Sequence, residues 1–111
     1  MLATVVLTLC RFSKILLILC VFSLGACVSV PPFEDYTLAR EALRAAEEAD
    51  SAKYSPAFWL KAESTYRDAE QAYQNNQFDL ARQKFKAARI LAERAENQTR
   101  LKKFESGDVF Q

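Results

Sequence analysis

Apolar residues recur at three- and four-residue intervals through most of this chain, and alanine fills many of those positions. Tyr36, Ala39, Leu43, Ala46 and Ala49 form one stripe, widened by Leu38, Ala42 and Ala45. Trp59, Ala62, Tyr66, Ala69 and Tyr73 form a second, and Phe78, Ala81, Phe85, Ala88, Ala92 and Ala95 a third, with Leu80, Ile90 and Leu91 beside it. This is the helical period, not the two-residue period of a strand. Between the stripes lie Leu, Glu, Arg, Lys and Gln, all good helix formers, and no stretch alternates with β-branched residues. The expected class is all-α, a three-helix bundle that includes an antiparallel helical hairpin. So many alanines call for close approach of the helices, not for a bulky core.

Boundaries follow from local signals. Glu34 and Asp35 suit the first turn of a helix over 34–52, where carboxylates meet the positive end of the dipole. In Tyr54-Ser55-Pro56, Ser55 can cap a helix whose first residue is Pro56, because the missing N–H has no partner there in any case. Tyr54 and Trp59 then occupy the two positions of a hydrophobic staple. That helix is expected over 56–75, with Glu63 and Arg67 as an ion pair at favourable spacing. Asn75-Asn76-Gln77 reads as a short polar turn into a third helix over 78–103, with Asp79 in its first turn. The third helix is the longer one, at about 39 Å. Its last turns are expected to project past the bundle, ahead of a flexible tail over 105–111. The helical domain as a whole is expected over 34–104.

Composition changes sharply along the 111 residues. Residues 1–30 hold two charges, Arg11 and Lys14, whereas all 14 acidic and 13 of the 15 basic residues lie from Glu34 onward. The apolar run 15–24 reaches only about 15 Å as a helix, half of a hydrocarbon core of ~30 Å. A short apolar run behind a basic flank reads as an export signal. Taken instead as one anchor, residues 1–30 would place both cations mid-membrane, each at about 2.5–3.5 kcal/mol. Residues 1–10 are unusually apolar for a leader, and the translation start is expected downstream of Met1.

The run closes with Leu24-Gly25-Ala26-Cys27, and here the chain resembles bacterial lipoprotein precursors. Small residues before the cysteine let a peptidase admit an extended backbone. The resemblance implies a signal peptide over 1–26, cleavage between Ala26 and Cys27, and diacylglyceryl transfer to the Cys27 thiol. Membrane lipid is thus an expected partner, with each buried methylene contributing ~0.8 kcal/mol. Val28 at the next position, where Asp would retain the protein, resembles the enterobacterial pattern for outer-membrane sorting. Residues 27–33, with Pro31-Pro32, form the expected tether. Cys10 and Cys20 fall in the removed segment, so the 85 residues from Cys27 hold no intramolecular disulfide.

Much chemistry is missing. There is no His, and Gly25 and Gly107 are the two glycines, so neither the usual general base nor a glycine-rich phosphate loop can be built. A net charge of +1 gives no electrostatic case for nucleic acid. No Cys/His set or acidic loop suits zinc or calcium, so neither metal nor other cofactor is expected. Glu47, Glu48 and Asp50 read as a solvated face, and Ser51, Ser55 and Ser64 lack an activating base. The expectation is a non-enzyme.

Two further resemblances concern the helices. Residues 73–85, with Tyr73, Phe78, Leu80, Ala81 and Phe85, look like the second half of one tetratricopeptide repeat. A wider likeness runs through Leu38-Ala39-Arg40, the segment 42–49, Tyr54-Ser55-Pro56, Ala62, Ala69, Phe78-Asp79-Leu80-Ala81-Arg82 and Ala87-Ala88. These are similar to the Ala-rich exported domain catalogued as domain of unknown function 4398, found in small bacterial lipoproteins. That resemblance implies an envelope location and no catalytic residues. The leading expectation is therefore a lipid-anchored structural or protein-interaction module with an envelope protein partner, binding through Trp59, Tyr66, Phe104 and Phe110. The alternative is binding of peptidoglycan or another glycan through exposed aromatics. A small Ala-rich core is marginal alone, so weak homo-oligomerisation is expected to add stability. The check is a melting temperature that rises with protein concentration.

Overall fold

The computed structural model describes residues 1–22 and 29–108. Cys27, the expected cleavage residues 24–26 before it, and Phe110 lie outside the described residues. Five helices and no strand are present among those described: α1 (Leu2–Phe22), α2 (Phe33–Glu48), α3 (Ser51–Tyr54), α4 (Pro56–Gln74) and α5 (Phe78–Ser106). The all-α class is as the stripes require.

Helix α1 takes in the apolar residues before Arg11 as well as those after Lys14, so it begins well ahead of the expected run at residue 15. It packs against no other helix among the described residues, and its side chains are exposed from Leu2 to Ile18. No helix among the described residues is long and apolar enough to cross a membrane.

The other helices form an up-down-up bundle. Ala39 of α2 shares a cluster with Ala69 and Ala72 of α4 and with Ala81 and Phe85 of α5. Further along, Ala46 meets Ala62, Ala92 and Ala95. Helices α2 and α5 therefore run parallel, with α4 antiparallel to both. Alanines seven residues apart are fully buried in every long helix of the bundle: Ala39 and Ala46, Ala62 and Ala69, then Ala81, Ala88 and Ala95. A seven-residue repeat keeps one seam facing its partners, and the missing side chains let backbones come close. Helix α5 is the spine, lying close to α4 and α2 along most of their lengths.

Helices α2 and α4 approach one another closely over only a short stretch. Tyr36, Leu43, Trp59 and Tyr66 stand between them and hold them apart. Small residues thus make two tight interfaces with α5, and large ones make the third interface a groove.

The expected single helix over 34–52 is two helices. Asp50 adopts a left-handed backbone conformation (φ 67°), which ends α2 and starts α3. Asp tolerates this conformation better than most residues, and Lys103 Nζ lies 2.7 Å from its carboxylate. Helix α4 starts at Pro56 as expected, but the Ser55 hydroxyl donates to Gln98 Oε1 on α5 and does not cap its own helix. Tyr54, expected as a staple partner for Trp59, is also held from the other side: its carbonyl accepts from Lys102 on α5 and its hydroxyl donates to Asp108 just beyond that helix. The α4–α5 turn places Asn76 at φ 58°, and Gln77 N–H donates to the Ala72 carbonyl at 2.9 Å.

The end of α5 corrects two expectations. It continues to Ser106, past the predicted end at 103, and Gly107 stops it at φ 79°, a conformation that costs glycine little. Its last turns do not project freely. Lys102 Nζ donates to the Tyr54 carbonyl at 2.6 Å, and the Tyr54 hydroxyl donates to Asp108 Oδ2 at 3.0 Å. Residue 108 of the supposed flexible tail is thereby tied to α3.

Candidate functional site

The groove between α2 and α4 is a concave feature with a chemical character of its own. Its floor at the α4–α5 turn end is Phe85, fully buried. Tyr36 and Tyr66 stand edge-on to that ring, at 5.4 and 5.5 Å between centroids, and 6.1 Å from one another. Offset and edge-on pairs of this kind add about 0.5–1.5 kcal/mol beyond area burial. A cavity of about 300 Å³ opens beside them, lined by Phe33, Tyr36, Tyr73 and Phe85 with Glu70 and Gln74. The groove then passes Arg40, Leu43 and Arg44 to reach Trp59, Glu47, Glu63 and Arg67.

Both signs of charge alternate along the rim, so the groove has an apolar aromatic centre and a mixed polar edge. Burial pushes the Tyr66 hydroxyl above its ordinary value, and the Tyr36 hydroxyl and Glu70 carboxylate act in the same direction. Tyr66 therefore keeps its proton at ordinary pH and can donate a hydrogen bond.

Trp59 and Tyr66, two of the residues singled out in the sequence, line this groove together. Neither is a freely exposed ring. Tyr66 is half-buried against the cluster around Phe85, and Trp59 against Ala46, Ala62, Ala92 and Ala95. Their roles in packing and in lining the groove coincide. Phe104 is elsewhere, 70% exposed on the last turns of α5 beside Arg100, Lys103 and Asp108. The groove walls Phe33, Tyr36, Leu43 and Tyr73 were missed as site residues, since the stripe pattern places Tyr36, Leu43 and Tyr73 in the core. Only the contrast of large residues here with alanine elsewhere could have shown that one interface stays open.

Polar side chains gather at the other end. Thr99 and Ser51 are fully buried, and the Thr99 hydroxyl donates to Ser51 Oγ at 3.0 Å. Lys103 and Lys53 flank the Tyr54 ring at 5.2 and 4.8 Å. The Lys103 ammonium beside Asp50 holds that carboxyl below its usual range, and hydrogen bonds from Ser106 and Tyr54 do the same for Asp108. The serines considered and set aside as nucleophiles are thus hydrogen-bonded structural groups: Ser51 to Thr99, Ser55 to Gln98, Ser64 to the Lys61 carbonyl. The expected Glu63–Arg67 ion pair is not among those formed by the described residues, whereas Arg44 pairs with Glu41 and Glu48, and Arg100 with Glu96.

No family model, curated protein or solved structure matches the chain.

Proposed function

We propose that this protein is a bacterial envelope lipoprotein, cut before Cys27, acylated on that thiol and held at a membrane, with the outer membrane facing the periplasm as its site. Its helical domain serves as a structural or protein-interaction module, and the α2/α4 groove receives an envelope protein partner. The observation that carries this reading is Leu24-Gly25-Ala26-Cys27, which closes an apolar run behind Arg11 and Lys14. Two small residues and a thiol at that place answer to peptidase access and acyl transfer. No catalytic role is assigned.

Feeding cells a labelled fatty acid tests the anchor. The native chain should take up label and sediment with membranes, and Cys27→Ala should abolish both; label retained by Cys27→Ala contradicts the reading. For the partner, a photo-reactive residue at position 66 should give a reproducible adduct in intact cells, and one at the exposed position 38 should not.

The half-exposed rings of Tyr36, Trp59 and Tyr66, set among Glu47, Glu63 and Glu70, favour one alternative, stacking on a glycan. Co-sedimentation with purified cell wall separates the two readings. A chain left wholly in the supernatant excludes the glycan.

A further inference from the structure

Resting on the lipoprotein reading, we infer that the end of the bundle bearing Val30 and Phe33 is a foot that beds in the head-group region of the bilayer holding Cys27. The tether is fastened to the bundle before it can act as a free spacer. Arg82 Nη2 donates to the Val30 carbonyl at 3.1 Å, the Ser29 hydroxyl donates to Asp79 Oδ1 at 3.4 Å, and Pro32 is buried. Three peptide steps separate Cys27 from Val30, which span at most about 11 Å when fully extended. The α4–α5 turn end of the domain therefore cannot stand clear of the lipid surface.

That end carries the side chains an interface favours. Val30 is 68% and Phe33 64% exposed. The Phe33 ring meets Tyr73 edge-on at 6.3 Å, and Tyr73 meets Phe78 at 5.5 Å, so the aromatic surface is continuous with the packed core. Of these rings only Tyr73 has the polar tip that favours head-group depth; exposed Val30 and Phe33 contribute apolar area. Charge contributes little attraction. Arg82 is engaged by Asp79 at 2.9 Å and lies 3.7 Å from Asp35, while Glu34 stays exposed, so no cluster of free cations marks this end among the described residues. The foot acts through apolar insertion, and a neutral bilayer should suffice. Helix α5 starts at this foot and ends at the α3 contact, which places Phe104 about 39 Å along its axis.

The test uses the mature acylated protein in neutral phosphatidylcholine vesicles whose acyl chains carry bromine near the head groups. Native Trp59 reports a point about 21 Å up α4 from Tyr73. A tryptophan placed by Phe33→Trp in a Trp59→Phe background reports the foot. Its emission should fall at least threefold more on bromination than that of native Trp59, and adding Val30→Glu should weaken the effect. Equal quenching at the two positions overturns the inference. Intact mass on the same sample keeps the two levels apart. An acylated chain with an unquenched position 33 removes the foot alone, whereas an unmodified Cys27 removes both it and the reading it rests on. Far-UV circular dichroism checks that each variant keeps its helices.

Discussion

At its N-terminal end α5 is gripped by rings, and at its C-terminal end by hydroxyls and ion pairs. Phe85, Tyr36, Tyr66 and Tyr73 pack around the first turns, with the tether fastened beside them. Thr99, Ser51, Ser55 and Gln98 form the layer at the far end, closed by Asp50 with Lys103 and by Tyr54 with Asp108. Ring packing is non-directional and depends on area removed from water. Buried hydroxyls contribute modestly when paired and cost more when one partner is lost. One helix thus has an end held by bulk and an end held by matched polar groups, with alanine seams between them that fix its distance from α2 and α4.

The sharpest way to break this contrast is Phe85→Ala, which empties the floor of the ring cluster. It should lower stability by about 3–5 kcal/mol, read as a shifted urea midpoint. Thr99→Val comes next. It leaves Ser51 buried without its donor and should cost about 1–3 kcal/mol, and adding Ser51→Ala should recover part of that loss, because two apolar groups need no partner. If the double variant were worse than the sum of its parts, the far end would be held by packing after all.

The ends should also separate by pH, with smaller effects. The folded state depresses Asp50 and Asp108, so their contribution is complete above the usual carboxylate value of 3.8 and is lost as pH falls through their lower folded values. Both groups are exposed, so the loss should be local: amide protection factors at residues 100–108, corrected for intrinsic rates, should fall below about pH 4 while those of the ring end hold. Tyr66 is raised, so its neutral form is the one the fold favours. Its contribution is complete below its ordinary value of 10 and declines as pH rises beyond it. Alkali should therefore loosen the ring end first, read as ionisation of Tyr66 coupled to altered emission of neighbouring Trp59.

Fold class and the main turns could be read directly, because helical period, Ser55-Pro56 and Asn75-Asn76-Gln77 are local signals. The break at Asp50 could not, since nothing around Ala49-Asp50-Ser51 outweighs good helix formers on either side; the carboxylate's partner, Lys103, is remote in sequence. The clasp of Tyr54 onto α5 was hidden for the same reason, and its aromatic looked like a local staple. The groove was half legible. Trp59 and Tyr66 drew notice as aromatics, but their place beside Tyr36 and Leu43 depends on α5 drawing both partners close through alanine, which is a property of three helices together. The proposed processing signal at 24–27 is purely sequential: it rests on residue types in an extended chain and owes nothing to the fold.

Everything proposed about location and partner depends on Cys27. Intact mass spectrometry of the protein extracted from membranes is the most direct measurement. A chain that begins at Cys27 and carries the added mass of a diacylglyceryl group is the predicted result. A chain that still carries residues 1–26 ahead of an unmodified Cys27 thiol would contradict it.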